Sequence, residues 1–445
     1  MDFKVKAGSK LIGEVQLPGD KSISHRSIMC AALAEGTSVI NGFLNGEDCL
    51  ATLNAFSKMG VSIDRTDNKV VVQGVGLRGL KRPDSDLYLG NSGTSMRLMS
   101  GILAGQNFST VLTGDHSLSA RPMARVVTPL NLMGSNISTN LKGKPPIQIE
   151  SSSGLNSLSY ELPIASAQIK SCLMFAGLYT SSPVTIIEQL QTRNHTELMF
   201  KKFGITVEVK EVGGAREIKV IPPESFLATE INVPSDFSSA AFLILAALIT
   251  PESDITLKNV GINPTRTALL EVFQDMGANI KISNVIKEYE PSADLQIKSS
   301  KLTGIELNPE LIPNLIDELP ILFVAASLAE GKTKIRGAEE LRTKESDRLK
   351  AMSNSLNKLG VSFDEYHDGI DIKGLNQEFH SSNSDLPYKA AVINSFNDHR
   401  IAMASAIACT RARNESNIEG VDNVITSFPN FLDTCRRLGM EIYST

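Results

Sequence analysis

Charged residues in this chain gather where helices would begin. Six polar segments each run into a stretch of small apolar residues. They are Asp20 to Arg26, Gly90 to Arg97, Ala165 to Lys170, Ser235 to Ser239, Ile316 to Glu318 and Asn397 to Arg400. Ser, Asp and Asn are good N-caps and account for part of the pattern. The cations are not accounted for that way. Lys21, Arg26, Arg97 and Arg400 stand in or near a first helical turn, where the macrodipole disfavours positive charge. A local conflict of this kind marks function. An arriving phosphate or carboxylate would resolve it, because helix N-termini and fixed cations together hold anions.

Further cations lie outside those six segments. Arg121 sits in Ser119 to Met123, and Arg193 in Thr192 to Glu197 at another helix start. Lys344 and Arg348 in Leu341 to Arg348 are four apart, which predicts one helical face with Glu345 and Asp347 as partners. The loop Asn91-Ser92-Gly93-Thr94 has the glycine and hydroxyl content of a phosphate cradle, but neither GxxxxGK[ST] nor GxGxxG spacing is present. No HxxxH or HxxEH pair suggests a metal, and no GxSxG elbow suggests a serine hydrolase. His399 reads as a hydrogen-bonding residue of the site, not a ligand.

The elements that must position these residues repeat. An apolar residue followed by Gly recurs at Gly60, Gly134, Gly204, Gly277, Gly360 and Gly439, each read as a helix end with a left-handed cap and a strand after it. Upstream of each lies a second helix, apolar nearly all round and therefore buried: 27–36, 97–105, 171–178, 240–248, 321–331 and 401–409. Strands alternating with helices give an α/β class. The period exceeds that of solenoids, which favours two globular lobes of three units. We expect crossings near Leu17-Pro18-Gly19 and within 229–234. That gives one lobe of 20–231 and another of 1–19 with 232–445, in which a first strand over 3–16 pairs with the C-terminal lobe.

Composition sets the limits. A chain of 445 residues suggests two or more domains. A net charge of -5 argues against a nucleic-acid binder, which needs a broad basic surface. The longest apolar runs, Ala240 to Ile249 and Ile321 to Ala329, fall far short of the ~20 residues that span a bilayer. The opening MDFKVKAGSKLIGEV holds no apolar stretch of signal-peptide length. Five scattered cysteines without a CxxC pair read as buried thiols in a reducing compartment. Together these predict a cytoplasmic protein with no membrane or nucleic-acid partner, and we expect a monomer.

At PGDKSISHRS (18–27) the sequence closely resembles the signature of 5-enolpyruvylshikimate-3-phosphate synthases. The resemblance continues in order through LGNSGTSMR (89–97), GDHSLSARPM (114–123), ASAQIKS (165–171) and TRNHTE (192–197). It ends with IDELP (316–320), LRTKESDR (341–348), NDHRIAM (397–403) and TSFPNF (426–431). It covers nearly the whole chain and is closer to the second class of the family, which includes glyphosate-tolerant enzymes. It implies a two-lobed inside-out α/β fold of six βαβαββ repeats, three per lobe, with the active-site cleft between the lobes.

The resemblance also implies roles. Lys21, Ser22, Arg26, Ser166, Ala167, Gln168, Arg193, Asp317 and Lys344 match residues that bind shikimate 3-phosphate. Lys21, Gly93, Arg121, Gln168, Arg348, His399 and Arg400 match the phosphoenolpyruvate site, which Glu345 also lines. Asp317 is the candidate base, Lys21 the candidate acid and Glu345 its competitor. No metal, nucleotide or covalent nucleophile is required. Thr426 and Glu340 stand where the first class has Lys and Asn, which weakens the case for an anion contact from the C-terminal loop. Tolerant relatives of the second class carry Ala at the position of Gly93, so retention of Gly implies inhibition by glyphosate. The alternatives are a UDP-N-acetylglucosamine enolpyruvyl transferase and a non-catalytic phosphometabolite-binding protein. The first carries a Cys on a loop of its first lobe, whereas 115–122 here has none. The second would not need the acid–base residues.

Overall fold

The computed structural model describes residues 1–8, 10–375 and 386–445. The rhythm expected from the glycines is present. Helices Glu47–Lys58, Ala124–Leu132, His195–Lys202, Ala268–Asp275, Arg348–Leu359 and Phe431–Arg437 each run into one of the six glycines. All six glycines have positive φ, from 79° at Gly204 to 101° at Gly439. An L-residue would clash with the following carbonyl in that conformation, so glycine ends each helix and turns the chain into the next strand.

The apolar stretches form the helices Lys21–Leu33, Gly93–Leu103, Ala167–Ala176, Phe237–Ile249, Leu319–Leu328 and His399–Cys409. Every residue of Phe237–Ile249, Leu319–Leu328 and His399–Cys409 is buried. With no solvent face these helices have no polar stripe, and their charged residues are confined to the ends. Asp20, Ser92, Ser166, Asp236 and Asp398 cap five of the six N-termini with side-chain oxygens. Glu318 begins the sixth without a side-chain cap bond. Small residues let the helices approach. A Cβ added to Gly101 would lie 2.1 Å from the carbonyl oxygen of Cys172 on the neighbouring helix.

The chain divides into two compact units, Gly19–Val233 and Met1–Pro18 with Pro234–Thr445. The sheets within each follow one plan. In the middle repeat of the first unit, Leu87–Tyr88 pairs in parallel with Thr110–Thr113. That strand pairs antiparallel with Ile147–Ile149, which pairs antiparallel with Ile137–Ser138. Helices Gly93–Leu103 and Ala124–Leu132 lie between the successive strands, giving βαβαββ. The same parallel–antiparallel–antiparallel order builds Glu230–Asn232, Glu35–Asn41, Lys69–Val75 and Ser62–Thr66.

The N-terminus departs from expectation. The single strand read over 3–16 is two strands, and Ser9 between them lies outside the described residues. Phe3–Lys6 joins Ser416–Glu419 and Glu441–Ser444, whereas Ile12–Gln16 joins Asp254–Gly261 in a different sheet. Buried Phe3, Val5, Leu11 and Val15 keep one phase, so the alternation itself does not mark the change of sheet. The fifth repeat has a three-stranded sheet, Lys332–Ile335, Gly369–Lys373 and Ser362–Tyr366. Isolated parallel bridges at Thr303 and Glu306 stand where a fourth strand would run.

No atom lies within 4 Å of a Cβ added to Gly204, and its φ is +79°. Gly204→Ala therefore isolates the backbone cost, expected at ~1–2 kcal/mol. Gly101→Ala drives a methyl into the next helix and should destabilise by ~1–3 kcal/mol through overpacking. Denaturant midpoints check both, and a Gly204→Ala protein as stable as wild type would contradict the left-handed cap.

Candidate active site

In the unit Gly19–Val233 the expected residues converge at helix starts. Asp20 caps Lys21–Leu33, which makes Lys21 its first residue and places Lys21 Nζ 3.0 Å from Asp48 Oδ2. Arg26, one turn on, is buried. It donates from Nε to Thr196 Oγ1 at 2.7 Å, from Nη1 to the Ser22 carbonyl at 2.9 Å and from Nη2 to Ser171 Oγ at 2.8 Å. Ser166 caps the helix that begins with Ala167 and Gln168. Gln168 accepts from Arg97 Nη1 and donates to Thr94 Oγ1 at 3.1 Å. Arg121 donates to Asn91 Oδ1, on the same loop as Gly93. A Cβ on Gly93 would meet Arg121 Nη1 at 3.0 Å and Arg97 Nη1 at 3.5 Å, so Gly93, Arg97, Gln168 and Arg121 form one cluster.

Arg193 lies just before helix His195–Lys202, on a segment anchored from below. Buried Lys170 pairs with Glu188 at 3.0 Å and Glu197 at 2.9 Å, and it donates to the Thr192 carbonyl at 3.3 Å. Glu188 in turn accepts from Thr192 N and Oγ1. A carboxylate and an ammonium this deep need such partners, and here they tie the Arg193 segment to the Gln168 helix.

The second unit builds its cluster around a carboxylate. Arg348 is 1% exposed and donates from three nitrogens: Nε to Asp398 Oδ2 at 2.9 Å, Nη1 to Asp317 Oδ1 at 3.2 Å and Nη2 to Glu345 Oε2 at 2.6 Å. Arg400 donates from Nη1 to the Asp317 carbonyl at 2.9 Å, and its Nη2 lies 3.6 Å from Asp317 Oδ2. Asp317 itself sits in the turn that precedes helix Leu319–Leu328. His399 is the buried first residue of its helix. Lys344 lies 3.5 Å from Glu340, one of the two positions that depart from the first class. The other, Thr426, is buried and donates to the Asn423 carbonyl at 2.7 Å.

One expectation fails. Lys344 and Arg348 do not share a helical face. Helix Arg348–Leu359 starts at Arg348, capped by Asp347, and Lys344 has extended backbone after the short turn of 3₁₀ helix Glu339–Thr343. Asp347 spends one oxygen accepting from Lys350 N and the other on Arg342, which fixes the helix start four residues later than the spacing suggested. Asp317 still acts electrostatically on both cations.

Electrostatics follow the packing. Loss of water around Lys344 outweighs Asp317 and Glu340 and pulls its ammonium below the usual lysine range. Burial alone would lower Arg348 too, but Asp398, Glu345 and Asp317 overcome it and raise the guanidinium above its ordinary value. His25 is fully buried, and that burial, with Lys21 and Arg26 adding to it, holds its imidazole well below 6.5 and hence neutral. Its Nδ1 lies 2.7 Å from Thr52 Oγ1, which is 2.6 Å from Ser95 Oγ. Ser95 donates to Ser92, the cap of the Gly93 helix.

Comparison with known proteins gives the family. The family model described as EPSP synthase (3-phosphoshikimate 1-carboxyvinyltransferase) matches residues 5–435. The chain is 47% identical to the 3-phosphoshikimate 1-carboxyvinyltransferase of Hydrogenovibrio crunogenus, covering 99% of this chain and 98% of that one. It is 48% identical to that of Legionella pneumophila strain Corby, covering 99% of each. Among solved structures, an EPSP synthase from Acinetobacter baumannii superposes with a TM-score of 0.87 at 45% identity over 100% of both chains. The chain belongs to the EPSP synthase family. The enolpyruvyl transferase NikO from Streptomyces tendae, at TM-score 0.76 and 14% identity over 100% of this chain and 98% of that one, shares the fold.

Within this family frame, sequence reasoning missed Asp48, Asp398, Ser171 and Thr196, which hold the cations without standing at the predicted positions. Asp398 was within reach, since it lies inside the NDHR segment and the other caps were read correctly. Asp48 and Thr196 were not, because 27 and 170 residues separate them from Lys21 and Arg26.

His25 gives a pH test. The folded chain resists protonating it, so below pH 6.5 the unfolded chain binds a proton the folded one does not. Stability at His25 is therefore full above 6.5 and lost on acidification, by about 1.4 kcal/mol per pH unit for one proton. His25→Gln is expected to flatten the fall in melting temperature between about pH 6.5 and 5. An unchanged slope would show that His25 is protonated in the folded protein.

Proposed function

We propose that this chain transfers the enolpyruvyl group of phosphoenolpyruvate to the 5-hydroxyl of shikimate 3-phosphate and releases phosphate, in aromatic amino acid biosynthesis. The observation that carries the reading is the grouping of Asp317, Glu345 and Lys344 around buried Arg348 and Arg400 in a member of this family. The two substrates bring two phosphates and two carboxylates, whose repulsion must be offset by fixed cations and helix N-termini. Lys21, Arg26, Arg121, Arg193, Lys344, Arg348 and Arg400 are the cations assigned to that task. Ser22, Ser166, Ala167 and Gln168 are assigned to shikimate 3-phosphate, and Gly93 and His399 to phosphoenolpyruvate.

The chemistry is addition followed by elimination. Asp317 takes the proton of the 5-hydroxyl as its oxygen bonds to C2 of phosphoenolpyruvate, and C3 gains a proton. Elimination then breaks the bond from C2 to the phosphate oxygen, and C3 gives a proton back. We assign the donor at C3 to Lys21, whose ammonium Asp48 holds at 3.0 Å, with Glu345 as the competing candidate. Substrate anions arriving beside Lys344 would favour its charged form. Cysteine nucleophiles do not enter. Burial pushes the thiols of Cys172 and Cys409 up to about 12 and those of Cys30 and Cys435 higher still. All five cysteines are buried and none forms a disulfide, which supports the cytoplasm as the compartment. No helix among the described residues is long and apolar enough to cross a membrane.

The test is phosphate release in the presence of both substrates together, and its absence would overturn the reading. Asp317→Asn is expected to bind shikimate 3-phosphate yet lose ~10²–10⁴-fold in kcat. A near wild-type kcat would remove Asp317 from the role of base.

Glyphosate is expected to inhibit competitively with phosphoenolpyruvate. At Gly93 an added methyl would stand 3.0 Å from Arg121 Nη1, the tip of a flexible side chain that can yield a few tenths of an ångström. The helix should therefore tolerate Gly93→Ala, while the space beside Arg121 shrinks. The longer inhibitor feels that loss more than the substrate does, and one methyl is worth roughly 10–200-fold. Ki for glyphosate should thus rise by more than KM for phosphoenolpyruvate. Equal rises in the two constants would contradict the steric account.

A further inference from the structure

Beside the Arg348 cluster lies a second buried ion pair that the reaction does not use. Glu318 follows Asp317 and is 1% exposed. Arg266, 3% exposed, places Nη1 at 2.9 Å from Glu318 Oε1 and 3.0 Å from Oε2. Ser238, near the start of helix Phe237–Ile249, donates to Glu318 Oε1 and accepts from Arg266 Nη2. Arg266 comes from a prebuilt turn. Its backbone N–H donates to the Asn263 carbonyl at 2.8 Å, and Asn263 Oδ1 accepts from Thr265 N at 3.0 Å. Asn263 Nδ2 in turn donates to buried Glu290 at 3.0 Å.

Arg400 Nη1 stands 3.7 Å from the same Glu318 oxygen, and it donates to the Asp317 carbonyl at 2.9 Å. A buried carboxylate must have a cationic partner. Two guanidiniums are within reach of Glu318. Arg266 takes both oxygens, and Arg400 makes only the long approach.

We propose, building on the assignment of Arg400 to phosphoenolpyruvate above, that Arg266 is a positioning residue for substrate binding. It occupies Glu318 so that this carboxylate does not close onto Arg400 and compete with the carboxylate or phosphate of the substrate. Without Arg266, Glu318 moves the short distance to Arg400 and forms a bidentate pair, for which guanidinium and carboxylate are well matched.

Steady-state kinetics of Arg266→Met, Glu318→Gln and the double variant test this. Arg266→Met is expected to raise KM for phosphoenolpyruvate about tenfold or more, the equivalent of one strong interaction. KM for shikimate 3-phosphate and kcat should change far less. Glu318→Gln added to Arg266→Met should return KM to within about threefold of wild type, because the competing charge is gone. A purely structural role predicts no such selectivity: kcat and both KM values would shift together with the melting temperature. A double variant no better than Arg266→Met, or an Arg266→Met protein with wild-type KM, overturns the proposal. If Arg266→Met is not recovered folded, Arg266→Gln, which keeps polarity but removes the charge, carries the same test. Its KM must rise and Glu318→Gln must reverse it, and a wild-type KM overturns the proposal. A wild-type enzyme without turnover on the two substrates would remove the reading of Arg400 and this role with it. A wild type that turns over alongside silent variants would remove this role alone.

Discussion

The second unit depends on one buried guanidinium. Arg348 is closed off from water, and its three donating nitrogens reach carboxylates from three separate places in the chain. Asp317 comes from a turn between helices, Glu345 from the segment before helix Arg348–Leu359, and Asp398 from the cap of helix His399–Cys409. One cation cannot balance three anions, so the cluster draws in Arg400 and Lys344. A buried charge excess of either sign is costly. That constraint explains why cations stand at helix starts that the macrodipole would otherwise reserve for anions. The carboxylates satisfy both the dipole and the cations, and Asp398 does so with one side chain. Its Oδ1 accepts from Arg400 N at 2.9 Å, and its Oδ2 accepts from Ser346 Oγ at 3.0 Å and from Arg348 Nε.

In the unit Gly19–Val233 the arginines of the site also meet neutral acceptors. Arg26 donates to two hydroxyls and a carbonyl, Arg97 to a glutamine oxygen and Arg121 to an asparagine oxygen. A neutral acceptor orients a guanidinium without placing a titratable group beside it. Carboxylate acceptors leave a titratable group next to the cation, which suits proton transfer. The contrast follows from the sequence, where SAQ and TRNHT segments supply hydroxyls and amides while IDE and KESD supply acids.

Much of this was legible before any coordinates. The six glycines at left-handed caps could be read because few residues other than glycine take that conformation, and a constant backbone demand gives a constant letter. The buried helices could be read because they lack a polar stripe. Family motifs then named individual residues that local physics left ambiguous. What escaped depended on tertiary contact. Spacing put Lys344 and Arg348 on one face because i, i+4 is the default for a helix, but Asp347 starts that helix later. The break between Phe3–Lys6 and Ile12–Gln16 is a change of sheet, invisible to an alternation pattern that continues in both. The Arg266–Glu318 pair spans 52 residues, and neither residue is anomalous where it stands.

The approach to Asp398 shows how firmly that carboxylate must be held. Phe396 and Asn397 directly before it adopt φ of 56° and 55°, a left-handed conformation that bulky residues avoid. Each such residue costs of order 1–3 kcal/mol and persists only where surrounding bonds over-determine it. They do so here. Phe396 N donates to Asn394 Oδ1 at 2.6 Å and Asn397 N to Ser395 Oγ at 3.1 Å, while Asn423 Nδ2 donates to the Asn397 carbonyl at 2.5 Å. Ser395 is itself fixed, donating to the Gly420 carbonyl at 2.6 Å. A glycine at Phe396 would relieve the strain but widen the range of directions from which the chain could enter the helix. A carboxylate that must cap a helix, orient one arginine and accept from the Ser346 hydroxyl has little angular tolerance. The strained entry is therefore the physical counterpart of the charge constraint at Arg348.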